Sequence, residues 1–242
     1  MIGGRITGGK AIYGAPLGIL MLEARFPRIP GDMGNAETWP FPVLYRVVHG
    51  ASPDRVVRRR AEGLLPAFVE AGRELVATGA VGITTNCGFL SIFQRELAAA
   101  LGVPVLTSSL VQYAMIARML PPNRRVGILT VSKATLSPEH LAAVGVPVDA
   151  PVEGTEEGQE FSRVILGDEP ELDLAAAERD LLAAADRLCG RHPEVGAILL
   201  ECTNMGPFAA AIAARTGLPV FDMVGLASWF HTALAPRRFP PP

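Results

Sequence analysis

Val81-Gly82-Ile83-Thr84-Thr85-Asn86-Cys87 leads on to Gly102-Val103-Pro104-Val105, and Val195-Gly196-Ala197-Ile198-Leu199-Leu200-Glu201-Cys202 leads on to Gly217-Leu218-Pro219-Val220. From the cysteine onward the two stretches keep one offset, 115 residues (202 minus 87). Phe93 matches Phe208, and Leu97-Ala98-Ala99 matches Ile212-Ala213-Ala214. An apolar run, a cysteine, a helical pattern and a Gly-x-Pro-Val run, met twice, describe a duplicated unit. Gly18-Ile19-Leu20 and Gly127-Ile128-Leu129 extend the repeat back to the first strand of each half. Each half then carries one thiol at the end of a strand, so two thiols are expected to face each other across a shared cleft.

Around this repeat, short apolar runs alternate with longer helical patterns, the mark of a parallel α/β sheet. Strands are expected at 17–22, 42–48, 81–85, 103–106, 126–131, 148–151, 197–201 and 218–222. Helices are expected at 53–78, 89–101, 109–120, 137–144, 155–166, 172–189, 208–216 and 224–234. The predicted fold class is α/β, with two pseudo-symmetric Rossmann-like lobes, mostly parallel sheets and an active site in the cleft between them. The first lobe is expected to comprise 1–115 with 218–242, its C-terminal helix returning to it, and the second 116–217. The irregular stretch 23–40 leaves the carboxyl end of the first strand, where α/β folds place ligands, and reads as a lid or rim. Arg25 and Arg28 are its anion-binding candidates. The proline-rich tail 236–242 is expected to lie extended.

With 242 residues and 49% hydrophobic content, the chain can bury one large core or two modest ones. Its net charge is −2, and Arg58-Arg59-Arg60 is the densest basic spot, far from the basic stripe that a phosphate backbone requires. Nucleic acid and membrane are therefore not expected partners; a small-molecule carboxylate and a homo-oligomer are. Three cysteines, Cys87, Cys189 and Cys202, are too few and scattered for a disulfide framework or a zinc site, which fits a reducing, cytoplasmic setting. Cys189 lies in a helical pattern and reads as a packed hydrophobe. Arg5 and Lys10 ahead of an apolar stretch imitate an export signal, but Gly14, Pro16 and Gly18 interrupt it. Gly4-Arg5-Ile6-Thr7-Gly8-Gly9-Lys10 begins like a phosphate loop, yet Ala11 lacks the metal-binding hydroxyl and no strand precedes it, so it reads as a leader.

A cysteine placed where a strand gives way to a helix meets free N–H groups and a positive dipole end. That setting is expected to lower the thiol pKa from about 8.5 toward neutrality and to hold a carboxylate. Thr84, Thr85, Asn86 and Gly88 crowd the first thiol, Thr203 and Asn204 the second. They suit the oxygens of a carboxylate and of the enediolate formed when the neighbouring carbon loses a proton. One thiolate takes the α-proton from one face and the opposed thiol returns a proton to the other.

Thr85-Asn86-Cys87-Gly88 and Glu201-Cys202-Thr203-Asn204, in a duplicated α/β chain of this length, resemble the aspartate/glutamate/hydantoin racemase superfamily of cofactor-independent enzymes. That group includes maleate isomerase and arylmalonate decarboxylase, and the resemblance covers nearly the whole chain. It implies Cys87 and Cys202 as the acid–base pair, with no cofactor and no metal. It places the substrate carboxylate among Thr85, Asn86, Gly88, Phe89, Thr203 and Asn204, with Thr130 and Thr135 as further hydroxyls after the fifth strand; Arg25 is a binding candidate from its place on the rim alone. Gly88-Phe89 stands where amino-acid racemases typically have Asn-Thr, and Asn204 where glutamate racemases carry a His. These differences leave the substrate open.

The expected activity is racemisation or epimerisation of a small carboxylate such as an amino acid or a derivative. A decarboxylase needs one proton donor, and a maleate-type isomerase uses one cysteine as a nucleophile; both are alternatives on the same scaffold. A pyridoxal-phosphate racemase would need a lysine, and the chain has only Lys10 and Lys133. A non-catalytic small-molecule binder is the remaining reading. His49, near the end of the second strand, is a further rim candidate.

Overall fold

The computed structural model describes residues 7–239. The first part of the phosphate-loop-like stretch, 4–6, and the end of the tail, 240–242, lie outside the described residues. Strands β1 (Leu17–Leu22), β2 (Val43–Val48), β3 (Gly82–Thr85) and β4 (Val105–Leu106) form one sheet in the order β2-β1-β3-β4. Strands β5 (Arg125–Thr130), β6 (Val152–Gly154), β7 (Val195–Leu200) and β8 (Val220–Phe221) form a second in the order β6-β5-β7-β8. Every pairing is parallel, and the two orders are the same. The central strands are buried along almost their whole length, which is why they read as unbroken apolar runs without alternation.

The helices are α1 (Leu65–Thr78), α2 (Gln94–Leu101), α3 (Tyr113–Met119), α4 (Pro138–Ala142), α5 (Phe161–Gly167), α6 (Leu174–Arg191), α7 (Ala209–Thr216) and α8 (Met223–Leu234). The duplication extends to fine detail. After each cysteine comes a six-residue 3-10 turn, Gly88–Phe93 or Thr203–Phe208, then an eight-residue helix, α2 or α7. Both helices close on a left-handed glycine, Gly102 at φ 66° and Gly217 at φ 67°, a backbone state that disfavours any side chain.

One core cluster runs from Leu20, Val56 and Phe89 to Leu129, Phe161 and Leu199, so the seam between the sheets is itself apolar. A second joins Leu17, Ile19, Met33 and Trp39 to Met223, Leu226 and Phe230 of α8. The last helix thus packs on the first sheet, while β8 pairs with β7 in the second.

Prolines explain three of the places where the elements depart from expectation. The stretch 53–78 is not one helix: a π turn at Asp54–Arg58 is followed by Arg60 and Ala61 at positive φ, and α1 restarts with a proline in its first turn. Pro66 has no N–H to donate back into a preceding turn, so a helix can begin there but not run through. Strand β6 begins beyond the expected 148–151, after Pro151, whose carbonyl accepts from Ile128 N at 2.8 Å. Pro104 likewise serves only as an acceptor, and β4 begins at Val105.

Candidate active site

The residue before each cysteine is fixed the same way in both halves. Asn86 N donates to Leu20 O at 3.0 Å and Glu201 N to Leu129 O at 2.8 Å, so β1 and β5 pin the two equivalent positions. Cys87 and Cys202 follow and cap the two 3-10 turns. Both are buried free thiols on one cavity at the seam. Asn86, Glu201, Thr203 and Asn204 give the cavity its polar side; Leu22, Phe26, Val57, Phe89, Val131 and Ile165 give it apolar walls.

The electrostatics overturn one expectation. Burial pushes the Cys87 thiol up to about 12, with the Glu201 charge adding to the rise, while the N–H groups of Phe89 and Leu90 and the Arg28 guanidinium pull the other way. Burial and Glu201 also hold Cys202 well above the usual thiol range. Short 3-10 turns offer too few N–H groups to offset the loss of water in an apolar pocket. The Arg28 guanidinium favours the Cys87 thiolate, whereas the Asp32 carboxylate disfavours that of Cys202. Burial also raises Glu201 to about 8, against the hydrogen bond from Thr130 Oγ1 to its Oε2 at 2.8 Å.

Of the expected binding residues, Asn86, Gly88, Phe89, Thr203 and Asn204 line the cavity. Asn86 Oδ1 accepts from Leu22 N at 2.7 Å, leaving its buried Nδ2 without a partner. Thr203 Oγ1 donates to Asn86 O, and Cys202 Sγ donates to Asn204 Oδ1 at 3.5 Å. Thr85 is occupied elsewhere, donating to Thr107 O at 2.6 Å. Thr130 holds Glu201, and Thr135 Oγ1 turns back to Ser132 O at 3.4 Å. Arg25 does not face the cavity: its side chain is 76% exposed and pairs with Asp168. His49 pairs with Glu23 on the surface at 3.1 Å, and Cys189 is half-buried on α6. Among the described residues no cluster of His, Cys, Asp and Glu is placed to hold a metal ion, and no helix is long and apolar enough to cross a membrane.

Sequence reasoning passed over Glu201 and Asp32. The first was visible as the repeat partner of Asn86. The second lies in the 23–40 stretch, which the structure fastens over the site. Buried Asp32 accepts from Arg28 Nη1 at 2.9 Å, from Gly34 N at 2.7 Å and from Asn204 Nδ2. Arg28 in turn lies over the Phe26 ring, 4.6 Å from its centroid. Asp32→Ala should cost about 3–5 kcal/mol, because it strands a buried guanidinium. It should also speed alkylation of both cysteines by iodoacetamide. Denaturant melts and alkylation kinetics would check the two effects.

Solved structures of the same architecture include arylmalonate decarboxylase, with a TM-score of 0.58 and 19% identity over 90% of this chain and 92% of that one. The Picrophilus torridus aspartate racemase aligns at a TM-score of 0.55 and 13% identity, covering 93% of this chain and 96% of that one. A Bacillus anthracis glutamate racemase aligns at 0.59 and 15%, over 91% and 81%. The chain carries the fold of the aspartate/glutamate racemase superfamily. In sequence it is similar to a dimethylsulfoniopropionate lyase of Durusdinium sp. clade D, 29% identical across 89% of this chain and 74% of the lyase. It is also 30% identical to dimethylsulfoniopropionate lyase 5 of Emiliania huxleyi across 90% of this chain, yet spans only 45% of that longer protein. No protein-family model matches the chain.

Proposed function

We propose that this chain is a lyase that removes the proton α to a small carboxylate with Cys87 and expels a sulfide from the β-carbon. The reading is carried by the likeness to dimethylsulfoniopropionate lyases along nearly the whole chain. The cavity supports it in three ways. Its apolar walls suit a methylated leaving group, and Phe89 beside Cys87 adds an aromatic surface for a sulfonium cation. Its polar side offers donors to a carboxylate. The raised thiol, finally, calls for a positive charge nearby, and a sulfonium substrate brings one. A cation bound against Cys87 favours the thiolate, whose proton leaves to solvent.

The atoms then balance without a further reactant. The Cys87 thiolate takes the α-proton, and the carbon–hydrogen pair becomes the new double bond. The carbon–sulfur pair departs with sulfur as neutral dimethyl sulfide, leaving acrylate in the site. Cys202 stays a thiol throughout. Racemisation is the second reading, favoured by the presence of that second thiol on the same cavity. In it, Cys202 returns a proton to the opposite face.

The experiment is incubation of the purified chain with dimethylsulfoniopropionate, with headspace dimethyl sulfide measured by gas chromatography. Release faster than the buffer blank is expected. Its absence, together with inversion of a chiral carboxylate in a panel of D- and L-amino acids and hydantoins, would move the assignment to racemase.

A further inference from the structure

Asn86 and Glu201 occupy equivalent places in the repeat, each directly before its cysteine, each buried, each lining the cavity. Each also has one side-chain polar atom without a partner, Asn86 Nδ2 and Glu201 Oε1. A buried polar atom left unpaired is costly, and two such atoms at matched positions on one cavity mark a place for a shared ligand group. The other end of each side chain is already tied, Asn86 Oδ1 by Leu22 N and Glu201 Oε2 by Thr130 Oγ1, so only the free atoms are left to meet a ligand.

Gly88 shows how the carboxyl is accommodated. A Cβ at that position would lie 2.2 Å from both Glu201 O and Glu201 Oε1. The Glu201 carboxyl therefore fills the space that a side chain after Cys87 would need. The titratable groups facing it are Cys87 from the other lobe and its neighbour Cys202; Asp32 and Arg28 of the covering loop act on these thiols.

We propose that Glu201 is a substrate-binding residue whose neutral carboxyl donates a hydrogen bond from Oε1, jointly with the Asn86 amide, to the substrate carboxylate and its enediolate. It rests on the reading above only in requiring a carboxylate substrate. A neutral acid in an apolar site is a donor that needs no counter-charge and strengthens its bond as negative charge builds on the oxygen. It also removes the anion that would otherwise hold both thiols up. With an ordinary value of 4.5 raised to about 8, the group is protonated at neutral pH and ionises above it.

The test compares Glu201→Gln, which keeps a donor, with Glu201→Ala, which keeps none. E201Q should retain at least roughly a tenth of kcat and lose the fall in rate above about pH 8. E201A should lose about 10²–10³-fold. Two readouts need no turnover. Infrared difference spectra of wild type against E201Q should show a protonated carboxyl band at pH 6 that vanishes by about pH 9. Calorimetric binding of propionate should weaken as pH passes about 8 in wild type and stay flat in E201Q. An ionised carboxyl at pH 6, an E201Q as impaired as E201A, or an alkaline fall that persists in E201Q would each overturn the assignment. Failure of the chain to act on any sulfonium substrate would remove the lyase reading, while the infrared and propionate measurements would still decide Glu201.

Discussion

Cys87→Ser should lower release of dimethyl sulfide by about 10²–10⁴-fold, the range for loss of a positioned general base, while Cys202→Ser should cost roughly tenfold or less. Serine matches cysteine in shape, yet its hydroxyl ionises too poorly to act as a base. The asymmetry follows from the surroundings. Cys87 receives help from Arg28 and from two backbone N–H groups; Cys202 receives one N–H and lies under the Asp32 charge. Elimination needs one base, so the second thiol can be spared. Racemisation needs both, and each substitution would then abolish it. Headspace assays of the two variants give the comparison directly.

Gly88→Ala should be the most damaging small substitution at the seam. The added methyl meets the Glu201 carbonyl as well as its carboxyl, and backbone cannot step aside as a flexible side-chain tip can. Overpacking of this kind costs about 1–3 kcal/mol. Here it should also displace the carboxyl from the cavity, so activity falls further than stability. Gly190→Ala is the control. It lies within α6 with open space at its Cβ position, so it should stabilise by about 0.4–1 kcal/mol and leave the site alone. Chemical denaturation and rate measurements on both variants separate packing from chemistry.

Glu201 also gives stability a pH dependence of determined sign. Its folded value, about 8, lies above its ordinary 4.5, so the fold favours the protonated form. That contribution is complete below about 4.5 and is lost as pH rises through about 8, at up to about 1.4 kcal/mol per pH unit between them. Wild type should therefore weaken between pH 5 and pH 8, against the usual carboxylate trend, and E201Q should weaken less. Urea titrations across this window measure the difference.

The two-sheet architecture was legible because duplication repeats every local signal. The offset that aligns Cys87 with Cys202 also aligns the 3-10 turns, the helices and their closing glycines. What the pattern hid was long-range. Arg25 and Arg28 are indistinguishable as exposed-loop arginines, and only the fold turns one toward Asp168 and the other onto Phe26. The thiol environment was misjudged for a related reason. A strand-to-helix junction announces N–H groups, but burial depends on residues such as Leu22, Val131 and Ile165 that arrive from elsewhere in the chain. Glu201 stood within the quoted repeat, but its meaning depended on Gly88 more than a hundred residues away.

In the proposed reaction a cysteine of the first half removes an α-proton before a β-sulfide leaves. Proton NMR of the wild type with dimethylsulfoniopropionate in D2O follows both events. Acrylate and dimethyl sulfide should appear in equal amounts, and Cys87→Ser should form both at the strongly reduced rate given above. Deuterium entering the α-position of unchanged substrate with no acrylate formed, or acrylate formed at the wild-type rate by Cys87→Ser, would rule this reaction out.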